Sequence, residues 1–229
     1  TVNPTDTLLR NGSRAQSLHD VPPPHVPGMD VAGVIDAIGP NTSTDLGVGD
    51  SVMAMVNNRG SHGGYRESIV LSADSVVHIP EGVSLVEAAT LPMNGLTAKQ
   101  TLDQLALKPG QTLAVTGAAG CYGGYVIQLA KQRGLKTVNV VRREGLAEEL
   151  MAKGADVVLI DGPDLADQIA RATGGEPVVL ALDAVGGDTY TRLTNSLGYS
   201  GTIVAYGMLS GKPASLNTGM TIFKDVRNR

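Results

Sequence analysis

Val115-Thr116-Gly117-Ala118-Ala119-Gly120-Cys121-Tyr122-Gly123-Gly124 joins the apolar run Leu113–Val115 to the helical pattern Tyr125–Arg133. A strand feeding a glycine-rich turn that opens a helix brings backbone N–H groups against a pyrophosphate. Gly117 and Gly120 are expected to let the backbone turn tightly and approach phosphates, and Gly123 to let helix and strand pack closely. A second strand, Lys136–Val141, follows the helix and ends at Arg142-Arg143. In such units an acidic residue about 20 positions beyond the glycines holds a ribose 2′-hydroxyl, whereas an arginine accommodates a 2′-phosphate. Two arginines stand there, so the expected cofactor is NADPH.

Around this unit, strand and helix patterns alternate: Thr112–Thr116, Gly120–Arg133, Lys136–Val141, Leu146–Ala152, Asp156–Ile160, Asp164–Thr173, Val178–Asp183, Asp188–Leu197 and Thr202–Tyr206. The rhythm predicts an α/β doubly wound parallel sheet with helices on both faces. Five strands are expected, one short of the six of a dinucleotide-binding sheet. From Thr1 to about Ile79 the signals are those of β structure. Val31–Ile38, Ser51–Val56 and Tyr65–Leu71 are β-prone runs separated by turn signals. Ser84-Leu85-Val86-Glu87 reads as a capping box, and a second helical segment runs from about Asn94 to Leu105. The expected domains are 1–92 and 93–229.

With 42% hydrophobic residues, one Phe and no Trp, the core must rest on Val, Leu, Ile, Ala and Met. A net charge of −4 leaves no electrostatic footprint for nucleic acid or an anionic membrane surface. No apolar run reaches the ~18 residues of a membrane span, and no secretory pattern opens the chain. The single cysteine, Cys121, excludes an intramolecular disulfide and a multi-cysteine zinc site. The expected compartment is the cytoplasm, although a cleaved transit peptide would leave no trace.

Several motifs in order along the chain resemble the zinc-independent medium-chain dehydrogenase/reductases, in particular NADPH:quinone oxidoreductases and mitochondrial-type 2-enoyl-thioester reductases. They are Asn3-Pro4-Thr5-Asp6, Pro27-Gly28-Met29-Asp30-Val31-Ala32-Gly33-Val34, Gly47-Val48-Gly49-Asp50, Gly63-Gly64-Tyr65, Ala88-Ala89-Thr90-Leu91-Pro92, Gly95-Leu96-Thr97-Ala98, the glycine turn, Val185-Gly186-Gly187 and Ala205-Tyr206-Gly207. Asn139-Val140-Val141-Arg142 and Ile222-Phe223-Lys224-Asp225 carry the enoyl-reductase character. The resemblance implies an N-terminal chaperonin-10-like β-barrel domain and a Rossmann domain, with a cleft between them for nicotinamide and substrate. It also implies that both domains are incomplete at the chain ends, and that the subunit pairs as a homodimer.

No metal is expected. Where zinc-dependent relatives carry Gly-His-Glu this chain has Gly28-Met29-Asp30, and no cysteine stands near Asn3. His19, His25, His62 and His78 show no ligand spacing and read as solvated or core imidazoles. The short-chain reductase turn is a poor match, because Cys121 falls on a glycine position and no Tyr-x-x-x-Lys occurs.

The resemblance places Asn94, Thr97, Ala119, Gly120, Cys121, Tyr122, Gly123, Arg142, Arg143, Val185, Gly186, Tyr206, Gly207 and Met208 along the cofactor. Several have a plainer reading. Asn94 is equally a helix cap, Cys121 a small packed residue, Gly186-Gly187 a strand-to-helix turn, and the arginines solvated charge. Asn3 and Tyr65 are cleft candidates, although Asn3-Pro4-Thr5-Asp6 also works as a turn. Enoyl-thioester reductases place a tyrosine acid shortly after that motif, yet Leu8–Arg14 has none. Arg14 or Tyr65 could replace it, or solvent could deliver the proton. The expected reaction is hydride transfer from NADPH to a quinone or α,β-unsaturated carbonyl, an acceptor activated by conjugation rather than by a metal. The alternatives are an enoyl-thioester reductase and a non-catalytic, crystallin-like NADPH-binding protein.

Overall fold

A computed structural model describes residues 1–13, 22–56 and 63–229. The chain divides into two compact units, Thr1–Leu96 and Thr97–Arg229. The boundary expected at residues 92 and 93 stands at the start of a helix that runs across this division.

The first unit opens with helix α1 (Pro4–Arg10), where the sequence reads as a turn. Pro4 at the first helical position has no N–H to leave unpaired, and the Asp6 carboxylate accepts the Asn3 backbone N–H at 2.8 Å. These two features convert the expected turn into a helix start. Strands β1 (Asp30–Val34), β2 (Ser51–Met55) and β3 (Val76–His78) form an antiparallel sheet in that order. The expected strand Tyr65–Leu71 is not one. Among the described residues it has no ladder partner, and Val70 is 98% exposed. The third strand lies beyond it, after a short 3-10 turn at Ala73–Ser75.

Helix α2 (Leu85–Ala88) starts as its capping box predicts. The Ser84 hydroxyl accepts the Glu87 N–H, and the Glu87 carboxylate accepts the Ser84 N–H at 3.0 Å. The Ser84 hydroxyl, which also donates to that carboxylate at 2.7 Å, and then the Ser84 N–H hold the exposed Glu87 carboxyl below its usual pKa. Helix α3 (Pro92–Leu105) begins two residues before Asn94. Asn94 therefore lies in the first helical turn and is not the cap.

In the second unit the order is β4 (Thr112–Thr116), α4 (Cys121–Gln132), β5 (Lys136–Val141), α5 (Ala147–Ala152), β6 (Val157–Ile160), α6 (Leu165–Ala172), β7 (Val178–Asp183), α7 (Gly187–Asn195), β8 (Leu197–Ala205), α8 (Thr218–Lys224) and β9 (Arg227–Asn228). All strand pairs are parallel, and the sheet order is β6-β5-β4-β7-β8-β9. This is the 3-2-1-4-5-6 order of a dinucleotide-binding sheet, with the reversal between β4 and β7. The expectation of five strands is corrected to six. Two residues are too short to show periodicity, and β9 is held by its ladder to β8 and by buried Val226 before it.

Alternation along the strands supplies a core on each face. Leu113, Val115, Leu180 and Leu182 pack with Leu102, Val126 and Ile127, whereas Ala114, Val138 and Val140 pack with Leu165, Ile169 and Leu193. Each buried Leu or Ile contributes about 1.5–3 kcal/mol, so the strand edges that carry the polar loops are rigidly held.

Candidate functional site

The glycine loop leaves β4 at Thr116. Gly117 has φ 63°, a conformation that side chains other than glycine rarely adopt, and its carbonyl accepts the Gly120 N–H at 2.9 Å. Gly120 caps α4 with no side chain of its own. A Cβ on Gly123 would lie 2.5 Å from the Ala118 carbonyl oxygen, so the helix meets the loop at a distance only glycine permits. Among the described residues the N–H groups of Cys121, Tyr122 and Gly123 have no acceptor. Ala119, Gly120 and Cys121 are exposed. The packed reading of Cys121 is thus corrected, because the first turn of α4 faces outward there. Three unpaired donors at the end of a helix fit a pyrophosphate.

At the neighbouring strand end, the buried Asp183 carboxylate organises the switch point. Its Oδ1 accepts from Thr116 Oγ1 at 2.7 Å and from the Val185 N–H at 3.2 Å, and its Oδ2 accepts from the Gly186 N–H at 2.7 Å. Thr116 Oγ1 in turn accepts the Ala184 N–H at 2.9 Å. The segment after β8 is fastened to the same loop. Tyr206 N–H donates to the Asp183 carbonyl, Leu209 N–H to that of Ala184 and Ser210 N–H to that of Val185, at 2.9–3.0 Å. A Cβ on Gly207 would lie 2.7 Å from the Ala184 oxygen, and Gly186 takes φ 74° under Lys212. Val185 is half-buried, Gly186 buried and Met208 exposed.

The rings of Tyr122 and Tyr206 stack with centroids 3.9 Å apart. The Tyr206 hydroxyl donates to the Thr116 carbonyl at 2.8 Å, and that of Tyr122 to Thr101 Oγ1 at 3.3 Å. Burial raises the pKa of both phenols. They pack the glycine loop as neutral groups.

Arg142 and Arg143 follow β5 and are exposed. Thr116 and Val140 are register partners, which sets Arg142 just past the end of β4. Among the described residues Arg142 has no hydrogen-bond or ion-pair partner, whereas the charge of Arg143 contributes, after Lys153, to lowering the Glu149 carboxyl pKa. Structure therefore brings the glycine loop, the Val185-Gly186 turn, Tyr206–Met208 and Arg142 to one edge of one sheet.

The first unit holds a separate polar network. Asn3 Nδ2 donates to Asp30 Oδ2 at 2.6 Å, the Met93 N–H donates to Asp30 Oδ1 at 2.6 Å, and Asn94 Nδ2 donates to Asn3 Oδ1 at 3.0 Å. Asp6 accepts the Gly28 N–H at 2.9 Å as well as the Asn3 N–H. The Tyr65 hydroxyl lies 2.9 Å from the Thr1 carbonyl and 3.3 Å from Asp6, and burial followed by the Asp6 charge raises its pKa. Asn3, Asn94 and Tyr65 are thus brought together, while Thr97 lies half-buried in the second unit. Arg14, His19 and His62 lie outside the described residues. His78 Nε2 lies 3.7 Å from Asp50 Oδ2. Asp6, Asp30, Thr116 and Asp183 were missed by sequence reasoning. The one available signal was an acid closing the apolar run Val178–Asp183.

Residues 1–81 match the family model described as alcohol dehydrogenase GroES-like domain, and residues 122–229 match the one described as zinc-binding dehydrogenase. The quinone oxidoreductase of Pseudomonas syringae superposes with a TM-score of 0.82 at 32% identity, over 100% of this chain and 69% of that one. The chain belongs to the medium-chain dehydrogenase/reductase superfamily.

Other superfamily members bracket it. The mitochondrial enoyl-[acyl-carrier-protein] reductase of Caenorhabditis elegans is 35% identical over 100% of this chain and 64% of its own length. The Escherichia coli quinone oxidoreductase, solved with NADPH, has a TM-score of 0.83 at 28% identity, over 100% of this chain and 68% of that one. The chain thus spans less than two thirds of the curated reductase it matches. It contains the superfamily's GroES-like domain and its Rossmann-like parallel sheet. Among the described residues no group of three His, Cys, Asp or Glu is placed to hold a metal, and no helix is long and apolar enough to cross a membrane.

Proposed function

We propose that this chain binds NADPH across the β4–β7 switch point and directs its hydride to a quinone or α,β-unsaturated carbonyl. The observation that carries the reading is the set of unpaired N–H groups on Cys121, Tyr122 and Gly123, close to an unpartnered Arg142. The helix end would hold the pyrophosphate and Arg142 the 2′-phosphate, with Arg143 adding positive charge. Val185, Gly186, Tyr206, Gly207 and Met208 would line the nicotinamide half. Thr97 would flank its ribose. The cofactor supplies the hydride; the chain orients it and excludes water.

Two features favour solvent as the proton source. The Tyr65 hydroxyl is engaged with Thr1 and Asp6, and its raised pKa makes it a weaker acid. Asn3 is buried with its amide engaged by Asp30 and Asn94, and an amide is no acid. A second reading, reduction of an enoyl thioester, is favoured by the 35% identity to the nematode mitochondrial reductase.

The test is to titrate the full-length protein with NADPH and NADH, then supply quinones, enones and enoyl thioesters while following NADPH absorbance. Preferred NADPH binding with oxidation by quinones or enones is expected. Turnover with thioesters alone selects the second reading. Tight binding without oxidation across the panel makes the protein a cofactor binder only, and absence of binding removes the site assignment.

A further inference from the structure

Asp161 is the residue after β6, and Arg142 the residue after β5. Val141 and Ile160 are register partners, and the Asp161 N–H donates to the Val141 carbonyl at 2.8 Å. Arg142 and Asp161 therefore occupy the next positions on adjacent parallel strands, at the edge assigned above to the 2′-phosphate. A free carboxylate there would oppose NADPH twice, by repelling the phosphate and by pairing with Arg142.

The fold prevents both. Arg192 on α7 grips Asp161, with Nε donating to Oδ1 at 3.0 Å and Nη2 to Oδ2 at 2.8 Å. Thr189 Oγ1 donates a third bond to Oδ2 at 2.6 Å and contacts Arg192 Nη2 at 3.1 Å. The Asp161 side chain is 13% exposed and that of Arg192 26%, so this pair is better sheltered than the other ion pairs among the described residues. A bidentate guanidinium–carboxylate contact fixes orientation as well as charge.

We infer that Arg192 is a positioning residue that sets cofactor specificity: by sequestering Asp161 it keeps Arg142 available to the 2′-phosphate. The inference rests on the dinucleotide site proposed above. Released from Arg192, Asp161 would turn toward Arg142 and shift preference toward NADH, whose 2′-hydroxyl a carboxylate can accept.

Equilibrium dissociation constants for NADPH and NADH, measured by cofactor fluorescence on the full-length protein, test this. In Arg192→Gln the ratio of NADPH to NADH affinity should fall about tenfold, the scale of one unscreened charge near a phosphate. In Asp161→Asn/Arg192→Gln, where the freed group carries no charge, the ratio should return to near its original value. If Arg192→Gln folds poorly, Arg192→Lys keeps the charge without the bidentate grip and should show a smaller fall. An unchanged ratio in the foldable single variant, or a double variant as impaired as the single, overturns the role of Arg192 while leaving the dinucleotide site intact. Equal affinity of the unaltered protein for both cofactors would instead remove the NADPH reading itself.

Discussion

Thr116 Oγ1 donates to Asp183 Oδ1 at 2.7 Å, joining the carboxyl ends of β4 and β7 where the sheet order reverses. One carboxylate thereby holds one strand end and the backbone of the turn after the other. Asp183→Ala leaves the Thr116 hydroxyl and the Gly186 N–H without their acceptor in a buried setting. A loss of about 2–4 kcal/mol is expected, read from urea unfolding followed by circular dichroism. Asp183→Asn should cost less, since one oxygen remains.

Adjacent glycines of α4 should respond in opposite ways. At Gly123 a methyl group would meet the Ala118 carbonyl at 2.5 Å, whereas at Gly124 nothing lies within 4 Å. Gly123→Ala is expected to lower the melting temperature and abolish NADPH binding. Gly124→Ala should raise stability by up to about 1 kcal/mol through helix propensity and leave binding alone.

Arg142 and Arg143 separate by partner. Arg142→Ala should weaken NADPH by ten- to a hundredfold, roughly 1.5–3 kcal/mol for a charge-assisted hydrogen bond, with little change for NADH. Arg143→Ala should have a smaller effect. Titration of both variants with each cofactor decides it, and equal losses for NADPH and NADH would exclude a 2′-phosphate contact.

Alkaline pH should expose Tyr206. Its pKa is raised by burial first, then by the charges of Tyr122 and Asp183. A group whose folded pKa lies above its unfolded value of 10.0 stabilises fully below that pH and loses its contribution as pH rises beyond it. The melting temperature should therefore fall above pH about 10. Tyr206→Phe should flatten that fall, while costing about 1 kcal/mol at neutral pH for the lost bond to the Thr116 carbonyl.

In the first unit, Asp30→Ala should destabilise more than Asn94→Ala. Asp30→Ala removes the carboxylate that accepts from both the Asn3 amide and the Met93 N–H, while Asn94→Ala removes a single amide contact. Differences of about 2 kcal/mol against 1 or less are expected in thermal unfolding.

Sequence alone determined the elements whose neighbours are local. The limits of β4, β5 and β7 coincide with their apolar runs, because burial on both faces of the sheet leaves a near-continuous apolar stretch in the chain itself. Ser84 and Glu87 announced α2 for the same reason, since both partners of a cap lie within one turn. Gly117 and Gly123 were readable because a positive φ disfavours, and a 2.5 Å approach excludes, a residue with a side chain. Tertiary structure decided what depends on strand order and register. β9 exists through its neighbour β8, and Tyr65–Leu71 failed to become a strand for want of a partner among the described residues. Thr116 meets Asp183 across 67 positions, Asn3 meets Asp30 across 27, and Arg192 reaches Asp161 across 31. A polar side chain carries no mark of a distant partner, because that pairing is fixed only when the sheet has chosen which strand ends stand side by side.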